Sequence, residues 1–196
     1  MIKTTTMLLQ EYYSYSNPEA KIRGEVKKGN LTHIVRGLYE TNKLTPGHYL
    51  AGVICSPSYL SFEFALAWYD LIPEAVYTYT SASYMKNRRK QYKTPFGLFT
   101  YKDIPNEVFP FETILHVEND YSFIIASPEK AICDQLYICA PCSNRKELRA
   151  LLFEDLRIDE TAFGNTNLKT MAELAELYKT SNHKLLLSMI KEIENQ

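Results

Sequence analysis

The chain has 196 residues, 45% apolar and 23% charged, the composition of an ordinary soluble globular protein able to bury a core without metals or disulfides. No run approaches ~18 apolar residues and no long apolar stretch follows Met1-Ile2-Lys3, so neither a membrane span nor a signal peptide is expected, and the expected compartment is the cytoplasm. The formal net charge of −1 hides an asymmetry: residues 1–50, 51–83, 84–102 and 103–196 carry +3, −3, +6 and −7, which points to local anion binding rather than general nucleic-acid affinity.

Met7 to Tyr13 reads as a short helix. Asn17 is a good N-cap, Pro18 suits the first helical position and Glu19 favours the positive end, so a second helix should run to about Lys28 and stop at Gly29. Leu31 to Tyr39 reads as a tight hairpin turning at Arg36-Gly37. Residues 42–47 look like a linker. An amphipathic helix is expected from Ser61 to Leu71, a strand from Val76 to Ser81, and strand pairs Gln91–Thr94 with Leu98–Tyr101 and Thr113–Val117 with Tyr121–Ala126. Ser127-Pro128-Glu129 opens a helix to about Ile138, and helices over Arg145–Phe153, Leu168–Thr180 and Lys184–Ile193 complete the pattern. The fold class expected is α+β: a small winged-helix-like module over residues 1–45, then a mixed sheet with a helical C-terminal part over 46–196.

On a helical wheel through Pro18–Lys28, Ile22 and Val26 form the buried stripe. Lys21 and Lys28 fall on one flank, Arg23 and Lys27 on the other, and Ala20 and Gly24 lie opposite the core. A small-residue face between cations suits a helix in a DNA groove, with the cations on phosphates. The same residues also fit a solvated face, and Gly24 fits close packing on another helix equally well. With Arg36 at the hairpin tip and His33 on its first strand, the candidate DNA contacts are Lys21, Arg23, Lys27, Lys28, His33 and Arg36.

A second basic block, Lys86, Arg88, Arg89, Lys90, Lys93 and Lys102, has no acidic interruption and is interleaved with Tyr84, Tyr92, Phe96, Phe99 and Tyr101. It fits a nucleic-acid surface, a docking face for an acidic protein, or a charged edge hairpin that resists aggregation.

Catalytic signals are weak. Cys139-Ala140-Pro141-Cys142 has thiol–disulfide spacing but sits at a helix end where the dipole has the wrong sign. Zinc would need two further ligands; Cys133, His116 and His183 are not spaced to supply them. His33, His48, His116 and His183 are isolated, and there is no phosphate loop, nucleophile elbow or spaced carboxylate–lysine motif for a nuclease. No enzyme activity, metal or cofactor is expected.

Several segments, in order along nearly the whole chain, resemble AbiEi-type antitoxins. They are Ser16 to Ile22, Gly29-Asn30-Leu31, Arg36-Gly37-Leu38-Tyr39, Ser56 to Glu63, Leu71-Ile72-Pro73-Glu74, Thr94-Pro95-Phe96-Gly97 and Ala126 to Ala131. The resemblance implies a cytoplasmic antitoxin of a phage abortive-infection system. Its N-terminal winged helix would repress its operon at promoter inverted repeats, as a monomer or weak dimer. Its second domain would neutralise an AbiEii-type nucleotidyltransferase toxin without requiring stable binding, with Lys86, Arg88, Arg89, Lys90 and Lys93 expected to serve that action or to extend the DNA surface. The first part is short for a full winged helix, so one helix of the tri-helical core is expected to shrink to a turn at residues 14–16. The alternative is a stand-alone winged-helix regulator with no toxin partner.

Overall fold

A computed structural model describes residues 1–118 and 120–194 and shows an α+β protein. The N-terminal part is strand–helix–helix–hairpin. Strand β1 (Ile2–Thr4) leads into α1 (Thr5–Glu11), α2 (Pro18–Lys28), β2 (Thr32–Val35) and β3 (Leu38–Glu40). The three strands order as β1-β3-β2, all antiparallel. Residues 12–16 are turns, so two helices stand here among the described residues.

The limits of α2 follow from its sequence. The Asn17 side chain accepts from the Ala20 N–H at 2.9 Å, Pro18 opens the helix, and Gly29 closes it at φ 78°. That left-handed conformation favours glycine, and Lys43 Nζ also lies 2.5 Å from where a Cβ would stand. The buried stripe differs from the expected one. Ile22 and Glu25 are buried and Val26 is half-buried, because Glu25 turns inward to Lys21 and Asn30.

A 3-10 turn (Gly47–Tyr49) and α3 (Ala51–Ile54) precede β4 (Ser58–Leu60), α4 (Phe62–Trp68), β5 (Thr78–Ser83), β6 (Lys90–Thr94), β7 (Gly97–Asp103), β8 (Thr113–Glu118) and β9 (Tyr121–Ala126). The six strands β4–β9 form one mixed sheet ordered β6-β7-β5-β4-β9-β8. The pairs β5/β7 and β4/β9 are parallel and the others antiparallel. Both expected hairpins form, although Asn119, in the turn of the second, lies outside the described residues. The helix expected over 61–71 is shorter, and β4 occupies the three residues before Ser61.

Alternation along β5 and β7 decides what covers each face. The Tyr79–Tyr101 face meets residues 47–51: Gly47 N–H donates to Tyr79 Oη at 3.1 Å, and Tyr101 Oη donates to the Ala51 carbonyl at 2.7 Å. Gly47 is required there, since a Cβ would stand 2.2 Å from a Tyr79 ring carbon. The Thr80 face meets α4, through Thr80 Oγ1 to the Ser61 carbonyl at 2.6 Å and Phe64 N–H to Thr80 Oγ1 at 3.0 Å.

The rest is helical: α5 (Pro128–Ile138), α6 (Arg145–Ala150) with a π-helical extension over Leu151–Asp155, α7 (Glu160–Gly164), α8 (Leu168–Tyr178) and α9 (Ser181–Glu194). Helix α5 is capped as its sequence requires, with Ser127 Oγ accepting from Lys130 N–H at 3.2 Å. At its other end the buried Asn182 donates to the carbonyls of Leu136 (3.1 Å) and Ala140 (3.0 Å) and accepts from Cys142 N–H (2.8 Å). No helix among the described residues is long and apolar enough to cross a membrane.

His183 is fully buried on α9. Its Nε2 donates to the Cys133 carbonyl at 3.0 Å, its Nδ1 accepts from Thr180 Oγ1 at 2.7 Å, and its ring stacks on Tyr178. Burial holds its pKa down to about 4. The neutral form fits both bonds, so the unfolded chain binds a proton that the native protein refuses. This contribution is complete above pH ~6.5 and is lost as pH falls towards 4, by up to about 3 kcal/mol. His48 is shifted the same way by burial and adds to the trend. Urea midpoints should therefore fall between pH 7.5 and 5, and His183→Gln should flatten that fall; an equally steep fall in the variant would refute the assignment.

Candidate nucleic-acid interface

The N-terminal candidates divide by partner. Lys21 lies 2.8 Å from Glu25 Oε1, with its ammonium over the rings of Tyr15 and Tyr12 at 4.9 and 5.7 Å. Lys28 shares the same carboxylate at 3.5 Å. Hydrogen bonds from Lys21 and then Asn30 hold Glu25 down to about 2. Lys21 is thus occupied in joining α2 to the α1–α2 turn. Arg23 faces Glu19 at 3.8 Å, with both side chains largely in water, where such a pair contributes little.

Lys27 and Arg36 are exposed and have no carboxylate partner among the described residues. His33 is exposed and sits edge-on to Tyr39, ring centroids 5.3 Å apart. These three lie together. β2 runs beside the edge strand β6, and between them opens a cavity of about 860 Å³. Lys27, His33, Arg36, Lys43 and Lys93 line it, with Tyr92 and Pro95 on the far wall and no Asp or Glu. Sequence reasoning treated the two basic blocks as separate; the fold brings Lys93 of the second to the first. It also missed Lys43, which had no signal beyond its charge, because only the approach of β2 to β6 places it there.

The rest of the second block scatters. Lys86 Nζ donates to the Ser56 carbonyl at 2.6 Å, and Lys90 Nζ lies 4.0 Å from Cys55 Sγ. Arg88 and Arg89 are exposed and reach another cavity beside Lys102. The aromatic residues interleaved with them do not form an open stacking row: Phe99 and Tyr101 are fully buried, and Tyr92 packs edge-on to Tyr101.

The Cys139/Cys142 pair stands where the sequence placed it, Cys139 being the C-cap of α5. Burial raises both thiols, which keeps them protonated and poorly nucleophilic. No group of three or more His, Cys, Asp or Glu among the described residues is arranged to hold a metal ion. No protein-family model matches the chain, and no curated protein matches it.

Gly24 is half-exposed on α2, and an added Cβ would meet nothing within 4 Å. Close packing within this chain therefore does not explain it. Gly24→Ala should raise stability by roughly 1 kcal/mol through helix propensity alone. A thermal melt checks this, and a destabilised variant would show that the glycine is structurally required.

Proposed function

We propose that this chain is a cytoplasmic antitoxin of the AbiEi type that represses its own operon by binding promoter DNA and carries out no chemistry itself. The carboxylate-free groove between α2, the β2–β3 hairpin and β6 carries the DNA-reading half. Five groups able to bear positive charge line one concave surface, at the end of a helix and along a hairpin, which suits a phosphate backbone entering between them. The strand–helix–helix–hairpin order with three paired strands supports a reduced winged helix, with α2 as the reading helix and Arg36 at the wing. The antitoxin half rests on the ordered resemblance along the chain, and its partner is a nucleotidyltransferase-type toxin opposed functionally without stable binding.

Occupation by Glu25 reorders the candidate contacts. Lys27, Arg36, Lys43 and Lys93 carry the binding, Lys28, Arg23 and His33 assist at the rim, and Lys21 is structural. Promoter affinity measured over a salt series tests this. Lys27→Ala should reduce the magnitude of the log–log salt slope by about one, whereas Lys21→Ala should act mainly on stability. A slope unchanged after all four groove cations are removed would end the DNA assignment. For the antitoxin half, co-expression with the gene immediately downstream should convert growth arrest into growth. A harmless neighbour, or arrest that persists, would refute it.

A further inference from the structure

The two edges of the six-stranded sheet differ. At one, β6 carries Lys90 and Lys93, and β2 lies beside part of it. At the other, β8 has β9 as its one strand neighbour among the described residues and exposes Ile114, Leu115 and Val117. We propose that β8 is a docking edge for a strand of another protein, an extended segment with apolar residues at alternate positions and a Lys or Arg at each end. The proposal is independent of the DNA groove, which lies at the opposite edge, and of the antitoxin reading.

Pairing with β9 fixes which backbone groups of β8 are free. Ser127 N–H donates to the Glu112 carbonyl at 2.8 Å, and Thr113 stands opposite Ala126. Bonded and non-bonded pairs alternate along an antiparallel ladder. With Glu112/Ser127 bonded, the next bonded pairs are Ile114/Ile125, His116/Phe123 and Glu118/Tyr121. Thr113, Leu115 and Val117 therefore turn their N–H and C=O groups away from β9, towards the open edge. Their side chains share one face, where Leu115 is 62% and Val117 71% exposed, and Ile124, opposite Leu115, is exposed as well. Charge along an open edge deters pairing, as on β6. The outward-bonding positions of β8 carry Thr, Leu and Val instead. A strand laid alongside would satisfy these backbone groups and cover Leu115 and Val117 with alternate side chains of its own.

Carboxylates bracket this apolar stretch. Glu112 precedes it and Glu118 and Asp120 follow it, all three exposed and none in an ion pair among the described residues. Residues 103–127 contain no Lys or Arg. The Met1 ammonium reaches Tyr121 Oη at 2.7 Å but is already paired with Glu40. Negative charge at both ends of the edge is complemented by a cation at both ends of the partner strand. The same charges tell against a second copy of this chain. The antiparallel register that matches all three outward residues of each copy centres on Leu115. It sets Glu112 opposite Glu118 of the second copy at both ends, and like charges directly across a strand pair are destabilising.

Anisotropy titrations of the full chain with labelled synthetic peptides test the proposal. The probe is a short peptide of alternating valine and threonine with a lysine at each end. It should bind with a Kd below about 1 mM, and hydrogen exchange at the Leu115 and Val117 amides should slow by roughly tenfold or more while the β6 amides are unchanged. Glutamates in place of the two lysines, or N-methylation of the peptide backbone, should each weaken binding by roughly tenfold. Val117→Lys, at an exposed position, should weaken it by a similar factor. Glu112→Gln with Glu118→Gln should remove the preference for the lysine-ended peptide, and Lys27→Ala should leave peptide binding intact. No anisotropy change at millimolar peptide, equal binding of the glutamate-ended or N-methylated peptide, or protection confined to amides outside β8 would each overturn the proposal. So would sedimentation showing that the chain alone dimerises and that Val117→Lys makes it monomeric, since the occupant would then be a second copy.

Discussion

Lys130 and Asp134, one turn apart on α5, are both wholly buried, and the second part of the fold is assembled around making that tolerable. The Lys130 ammonium is 3.5 Å from Asp134 Oδ1, too far to satisfy it alone. It also donates to the Val108 carbonyl at 2.7 Å and to Tyr178 Oη at 2.8 Å. Asp134 accepts from Tyr178 Oη, from Ser61 Oγ at 2.6 Å and from Tyr59 Oη at 3.0 Å. Desolvation pulls the lysine pKa down and pushes both tyrosines well up. Buried ions repay their desolvation only when every lone pair and proton is engaged. The partners come from β4, the start of α4, the segment after β7 and the end of α8. The pair therefore fixes how sheet and helices meet, a role in specificity more than in net stability.

The N-terminal part is tied to the sheet differently, through polar contacts at its rim. Its own core is small, Leu8, Ile22 and Leu31, while Ile34 of β2 belongs to the main core. Glu40, at the end of β3, accepts from Tyr121 Oη at 3.0 Å and from Asn42 N–H at 2.9 Å, and Thr45 reaches the same tyrosine at 3.2 Å. Tyr121 stacks on Tyr49, whose hydroxyl donates to Glu118 at 2.6 Å. These contacts hold the end of β3 at the β9 and β8 side of the sheet, while Ile34 of β2 packs into the main core and β2 lies beside β6, and that closeness creates the cationic groove. A freely swinging N-terminal part would leave Lys93 and Arg36 as unrelated surface charges.

Two helices that carried their own punctuation were legible, whereas the short α7 was not read although Asp159 caps it. Pro18–Lys28 and Pro128–Ile138 have a capping side chain, a proline at the first position and, in the former, a closing glycine, and both form as read. The three-residue strands β1 and β4 were not legible, because too few residues alternate to show a period. β4 gains its partners from β5 and β9, which are distant in sequence. Glu25 had no place in the expected stripe of Ile22 and Val26, because a charged side chain carries no sign that it will turn inward to meet a lysine one turn back. The site was half legible: the cations were visible as such, but which of them were already spent on Glu25, and which two blocks would meet, are facts of tertiary placement. Gly47 shows the same limit, since it reads as turn punctuation while the close approach of Tyr79 is what excludes a side chain.

A chain of net charge −1 carries a concentrated cationic groove here because charge acts locally. At physiological salt the screening length is about 8 Å, so an anion entering between Lys27, Arg36, Lys43 and Lys93 would respond to those four and little to distant carboxylates. Of the −7 of residues 103–196, −5 falls on residues 103–127, through Asp103, Glu107, Glu112, Glu118 and Asp120 with no Lys or Arg, and only −2 on the helices that follow, whereas the groove lies at the β6 edge, the opposite edge of the sheet from β8. Segregation of this kind keeps the overall balance near neutral and confines attraction to one concavity. It also makes any attraction of an anion to the groove steeply dependent on salt, since exposed charges are screened. The cationic edge strand gains a second consequence from the same arrangement: Lys90 and Lys93 make β6 a poor template for pairing with another sheet, and β2 covers part of it.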